Sequence, residues 1–133
     1  MSFEAALKER ITGDPELAVA GRVVWGRRLT ALPGITLQIV VDPRPQHFKG
    51  AQRVRPTTVQ ADAWATSAEA AAALRERLIL RLTPSALVGG VQFQRAMVIA
   101  VRGGAEPLQA GPAQRLAPEI FRESIDFTFT HNG

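Results

Sequence analysis

From Ile120 to Thr130 the chain alternates with a period of two: Phe121, Ile125, Phe127 and Phe129 fall on one side, Ser124, Asp126, Thr128 and Thr130 on the other. Successive strand side chains point to opposite faces, so the pattern predicts a strand with one face in a core. That limits the chain to folds with a sheet covered on one side, the habit of antiparallel sheets. Two further segments repeat it. Ile35, Leu37, Ile39 and Val41 alternate with Thr36, Gln38 and Asp42 after Pro33-Gly34, and Val59, Ala61 and Ala63 alternate with Gln60, Asp62 and Trp64 between Thr57 and Ala65. A fourth strand is predicted from Val91 to Val101, where Val91, Phe93, Met97, Ile99 and Val101 share a face that also carries Arg95.

Helical spacing marks what covers the sheet. Thr66-Ser67-Ala68-Glu69 reads as a capping box opening a helix from Ser67 to about Leu82, with Ala71, Leu74, Leu78 and Leu82 on one side and Thr83-Pro84 as its stop. A shorter helix starts at Ser2 and carries Phe3, Ala6, Leu7 and Ile11 before Gly13. Asp14-Pro15 supplies an N-cap and first helical residue for a turn through Glu16 to Val19. Val23-Val24-Trp25 reads either as a short strand or as an anchor for the connection. The small Ala61 and Ala63 let the long helix approach the sheet. The expected fold is α/β (α+β), one domain over residues 1–133. Its antiparallel sheet of about four strands carries two helices on one face, with long loops over 42–56 and 103–118.

A chain of 133 residues buries roughly two-thirds of its unfolded surface and needs no metal or disulfide to hold a core. It has no cysteine, which excludes disulfides, thiolate metal sites and a cysteine nucleophile and fits synthesis in a reducing cytoplasm. No apolar run approaches the roughly 20 residues that cross a bilayer. The acidic, amphipathic start Met1-Ser2-Phe3-Glu4 does not read as an export signal.

The charge is unevenly placed. Between Pro43 and Ala61 there is no acid, while Arg44, Lys49, Arg53 and Arg55 fall there and equal the whole formal excess of +4. Pro43, Pro45 and Pro56 restrict this loop, and His47-Phe48 within it offers a ring for stacking on a base. Residues 43–61 are therefore either a partner-binding loop or a nucleic-acid element. Trp64, on the otherwise polar face of its strand, is either a cover for the sheet edge or an interface anchor.

Catalytic chemistry is not evident. The sequence holds no phosphate-binding P-loop, no Gly-x-Ser-x-Gly elbow and no His-Glu-x-x-His. His47 and His131 lack a second ligand at metal spacing and read as ordinary surface histidines. Asp62 and Asp126 lie on polar strand faces without a nucleophile or base, so they read as solvent-facing or interface carboxylates. No catalytic, cofactor-binding or metal residue is assigned.

The order of segments resembles a known family. Met1-Ser2-Phe3-Glu4-Ala5-Ala6-Leu7 matches its opening Met-Ser-x-Glu-x-x-Leu, followed by an Asp-Pro turn and a Val-rich stretch, Asp14-Pro15 to Trp25, and a Pro-led strand, Pro33 to Val41. Val59-Gln60-Ala61-Asp62-Ala63-Trp64-Ala65-Thr66 is similar to its Val-Gln-x-Asp-x-Trp-Ala-x junction before an Ala/Glu/Leu-rich helix. A Gly-Gly-Val strand follows, and Phe121-Arg122-Glu123-Ser124-Ile125-Asp126-Phe127 is similar to its closing Phe-Arg-x-Ser-x-Asp-Phe. The resemblance, over nearly the whole chain, is to the phage tail-terminator family, also described as tail-completion or tail-to-head joining proteins.

The resemblance implies a structural subunit and no enzyme: a hexameric ring that caps the finished tail tube and joins it to the head, without a cofactor. Implied partners are further copies of the chain, the tail-tube protein and a head-completion or neck protein. DNA would pass the lumen without sequence-specific binding, and no membrane is involved. The implied place is the tail-neck region of a virion, in a phage, a prophage or a gene transfer agent. The alternatives are another neck component, such as a head-closure protein, and a nucleic-acid-binding module using residues 43–61. Candidate interface residues are Arg44, Lys49, Arg53, Arg55 and Trp64.

Overall fold

The computed structural model describes residues 1–18, 22–26, 32–48, 50–51, 53–107 and 119–133, with backbone alone at 22, 47, 51, 105–107 and 119. In chain order the elements are α1 (Phe3–Thr12), α2 (Pro15–Ala18), β1 (Arg22–Trp25), β2 (Gly34–Val41), β3 (Gln46–His47), β4 (Gly50–Ala51), β5 (Arg55–Ala65), α3 (Ala68–Leu82), β6 (Ala86–Val88), β7 (Val91–Phe93), β8 (Met97–Pro107) and β9 (Glu119–His131). Ser2 caps α1 by accepting from the Ala5 N–H at 3.2 Å. Ser67 caps α3 by accepting from the Ala70 N–H at 3.1 Å, one residue later than the capping-box reading places the cap.

The sheet is larger than expected and mixed. Among the described residues seven strands join it in the order β1-β2-β5-β9-β7-β6, with β8 also paired to β9. The stretch Val23-Val24-Trp25 is a strand, and β1 runs parallel to β2. The other pairs are antiparallel. Among the described residues the helices number three, since the Asp14-Pro15 turn forms α2; Val19 lies outside them. Phe3, Leu7 and Ile11 of α1, Leu17 of α2, and Leu78 and Leu82 of α3 join Ile35, Leu37, Val59, Ala61, Ala63, Ile125, Phe127 and Phe129 in one buried cluster. Leu74 packs against it partly buried.

The predicted strand 91–101 is divided, and the reason lies in register. Phe93 pairs with His131, but Met97 pairs with Thr128, and a further shift falls between Val98 and Ala100. Each one-residue slip moves the following side chains to the opposite face. Met97 thus shares a face with Thr128, while Val98 and Val101 oppose the inward Phe127 and Ile125. Of the expected shared face Val91 and Phe93 are buried, whereas Met97, Ile99 and Val101 are 65%, 56% and 46% exposed, Val101 although it regains the side of Ile125. The strand also continues to Pro107, through the first residues of the expected loop 103–118; residues 108–118 lie outside the described set.

Two polar devices lock the helices. Arg10 Nη2 donates to the Arg81 carbonyl at 2.9 Å and to the Pro84 carbonyl, while Arg81 Nε donates to the Arg10 carbonyl at 2.9 Å. Each arginine therefore satisfies carbonyls at the C-terminal end of the other's helix. Asp14, 1% exposed, holds Arg77 of α3 bidentately at 2.8 and 3.1 Å and accepts from the Glu16 N–H at 3.0 Å. Burial alone would raise its carboxyl, but these donors and the guanidinium charges hold it below the ordinary carboxylate value.

His131 is not a surface histidine. It is 1% exposed and stacks on Phe3 at 4.0 Å between ring centroids. Thr57 Oγ1 donates to Asp42 Oδ1 at 2.8 Å, and a carboxylate only accepts. The single hydroxyl proton of Thr57 is then spent, so the 2.7 Å contact to His131 Nε2 requires the imidazole N–H to donate. Nδ1 keeps its lone pair and accepts from the Gly133 N–H at 3.0 Å. A proton on Nδ1 would face that N–H.

Two outcomes are expected. Leu78→Ala, at a fully buried position, costs about 2–5 kcal/mol in denaturant unfolding, whereas a loss under about half a kcal/mol would contradict its place in the core. Burial, then the Arg55 charge, lowers the His131 pKa from 6.5 to about 4. The neutral ring's contribution is therefore complete above about pH 6.5 and is lost as pH falls towards 4, on the order of 3 kcal/mol in all. Urea midpoints taken across that window should fall in the parent and stay flatter in His131→Gln; an equal slope in both would place the effect elsewhere.

Candidate assembly interface

The basic loop is a hairpin arm. Beyond β2 and β5 the chain forms the two-residue pairing of β3 with β4, with Phe48 at its tip, fully exposed. Asp42, the last acid before the basic stretch, organises the base. Its Oδ2 accepts from Arg44 Nη2 at 2.8 Å, and its Oδ1 from Arg55 Nε at 3.1 Å as well as from Thr57. Burial would raise the Asp42 carboxyl, but the bonds from Thr57 and Arg55 outweigh it and hold it low. Two of the four predicted basic residues are thus matched to one carboxylate. Arg55 is a structural member of the arm's base, its side chain 18% exposed, while Arg44 is 64% exposed. Arg53 is exposed and makes no ion pair with the described residues. Lys49 lies outside the described residues.

Trp64 sits on the face of the sheet opposite the helices. Its Nε1 donates to Thr36 Oγ1 at 2.9 Å on β2, and the Arg122 guanidinium lies 5.3 Å from its ring centroid. The tryptophan is half-buried and roofed by a cation, so it belongs to a polar platform and is not a bare anchor. Asp62 and Asp126 lie on the same platform without forming an acid pair. Asp62 accepts from Gln60 Nε2 at 3.1 Å, and Asp126 holds Arg102 bidentately at 2.9 and 3.2 Å.

A third surface, apolar and absent from the candidate residues, lies along β8. β8 is hydrogen-bonded to β9 on one side and pairs with no further strand among the described residues. Along it Met97, Val98, Ile99 and Val101 are exposed. A signal existed: residues 96–101 are Ala-Met-Val-Ile-Ala-Val, apolar at both parities, which a strand with one wet face does not require. The structure does not bring Trp64 and the arm together; Trp64 pairs with Arg122 near the far end of β5, and Arg55 with His131 at the near end. An exposed arm tip and an uncovered apolar edge are both surfaces that protein contact would bury.

Neither a family model nor a curated protein sequence matches this chain. Solved structures do. A chain from the virion of a native gene transfer agent particle superposes with a TM-score of 0.61 at 14% identity, covering 99% of this chain and 96% of that one. A second solved structure matches with a TM-score of 0.51 at 14% identity, covering 96% and 89%. At that identity the likeness is one of fold, and it spans both chains almost end to end.

Proposed function

We propose that this chain is a non-enzymatic virion subunit, a tail terminator that closes into a ring on the finished tail tube and joins it to the head. The observation that carries the reading is the end-to-end fold likeness to a chain of a gene transfer agent virion. The segment order, which resembles the tail-terminator family, narrows the virion role to this one, and six copies per ring is the stoichiometry that resemblance implies. The surface is in keeping with it. A subunit that completes itself against neighbours leaves apolar surface bare when alone, as Phe48 and β8 do. The polar groups of the outer sheet face are tied to one another, and the carboxylates there serve arginine and glutamine.

The arm is read as a protein contact and not as a DNA reader, because Asp42 neutralises part of its charge and Phe48 offers an anchor. Replacing Arg44, Phe48, Lys49 and Arg53 together with serine should leave the circular dichroism unchanged. Ring formation in native mass spectrometry, or particle yield, should fall at least about tenfold, the scale of losing an anchor. Arg55→Ser should behave differently and lower stability by about 1–3 kcal/mol, since it strips a partly buried carboxylate of a donor. Normal assembly with loss of salt-dependent DNA affinity alone would make the arm a nucleic-acid element.

A further inference from the structure

Where the C-terminal ends of α1 and α3 meet β6, the surface holds an open concavity of about 390 Å³. Arg10, Arg77 and Arg81 line it, with Asp14 as the acid among its lining residues. Asp14 and Glu16 both contact Arg77, at 2.8 and 3.3 Å. Arg10 and Arg81 therefore sit side by side with no contacting carboxylate among the described residues, although Asp14 is near enough to feel the charge of Arg81. Their reciprocal capping bonds use Arg10 Nη2 and Arg81 Nε. That accounts for their orientation and leaves donors over. Arg10 is 4% exposed, its Nη1 is buried, and that atom has no hydrogen-bond partner. Gly13 matters here, because a Cβ on it would meet Arg81 Nη2 at 3.2 Å.

Two guanidiniums without a contacting carboxylate, Arg10 lying over the Phe93 ring at 5.4 Å from its centroid, repel each other in this partly apolar site, and Arg10 loses hydration. Burial and the Arg81 charge both disfavour the charged form of Arg10. An anion relieves both costs at once. Free phosphate is a poor match for the rest of the site, because its lining is also apolar: Leu80 of α3 and Leu87 of β6 are 63% and 68% exposed, and Val88 lines it with them. A carboxylate on an apolar stem satisfies both kinds of lining.

We infer that the concavity between α1, α3 and β6 is a carboxylate-binding site, filled by an acidic side chain in an apolar segment of a second protein and held by Arg81 and Arg10. Charge complementarity selects the occupant, and Leu80 and Leu87 take up its apolar neighbours. This inference does not rest on the virion reading.

The test uses the full chain and two blocked peptides, acetyl-Leu-Glu-Leu-amide and acetyl-Leu-Gln-Leu-amide, with inorganic phosphate as a third probe. Binding is followed by NMR through the arginine side-chain N–H signals and the backbone of residues 84–88. The glutamate peptide should bind at least about tenfold more tightly than its glutamine twin, the ratio expected for a charge-assisted bond. Arg81→Gln should remove that preference. Leu87→Ser, at an exposed position where folding is not at risk, should weaken the glutamate peptide several-fold and leave phosphate unaffected. Equal binding of the two peptides, or an unchanged preference in Arg81→Gln, overturns the site. Phosphate binding more tightly than the peptide, with no effect of Leu87→Ser, overturns the carboxylate-on-a-stem assignment. The same signals shifting with protein concentration alone would give the site to a second copy and overturn the choice of partner.

Discussion

A carboxylate can only accept hydrogen bonds, and at Asp42 that fact sets the direction of the side-chain contacts that run from the base of the arm to His131. Arg55 and Thr57 of β5 both donate to Oδ1, so Thr57 must accept from His131 of β9. His131 is thereby fixed as a neutral ring that stacks on Phe3. One acceptor thus ties the base of the arm to two central strands and to the first helix. The chain of donors has a single polarity, and nothing in it can be reversed without leaving a buried group unpaired. The basic stretch looks like a loose charge excess in the sequence. In the folded chain its base is tied down through Asp42, while Phe48 at the tip stands exposed.

The two faces of the sheet meet different demands. On the inner face Glu123 would interrupt the apolar row between Phe121 and Ile125. α3 answers it with Arg75, whose Nη1 lies 3.2 Å from Glu123 Oε1. Gly103 of β8 lies opposite, where a Cβ would come within 2.6 Å of the Glu123 carboxylate. An ion pair can therefore occupy the margin of the core because a neighbouring strand gives up a side chain there. On the outer face the polar groups answer one another in rows, Trp64 with Arg122 and Asp126 with Arg102. That face is already satisfied and asks little of a partner.

Strands with clean alternation were legible in the sequence, and so were both long helices. β5 shows why: its inward residues Thr57, Val59, Ala61, Ala63 and Ala65 are all buried and its register against β9 is unbroken, the one shift against β2 falling at the end, between Ile39 and Val41. The region from Val91 to Val101 failed for the complementary reason. The first register shift against β9 turns Met97 outwards and the second restores the parity at Val101, so the reversal is confined to the stretch between them, and local sequence carries no mark of either shift. His131 was misread because burial of a lone histidine depends on partners 74 and 128 positions away, Thr57 and Phe3. Among the candidate site residues, sequence located the arm but not its internal pairing. Asp42 stands just outside the acid-free stretch, and only the pairing of β2 with β5 brings it to Arg55.

The uncovered surfaces also bear on how copies would associate. The arm rises from β2 and β5, while β8 lies on the other side of β9. These are unlike surfaces. A contact that joins either of them to a different patch on the next copy repeats head to tail, and such a contact either closes into a ring or grows without end. A long apolar edge is hazardous in a free monomer, because it templates further strand pairing. Closure removes the hazard by leaving no terminal copy with its edge bare. For a subunit of the proposed kind the same edge that endangers the monomer would reward the complete ring, and incomplete rings would be the species that stick. Assembly of such a chain should accordingly be cooperative, with the exposed β8 row setting the penalty for stopping short.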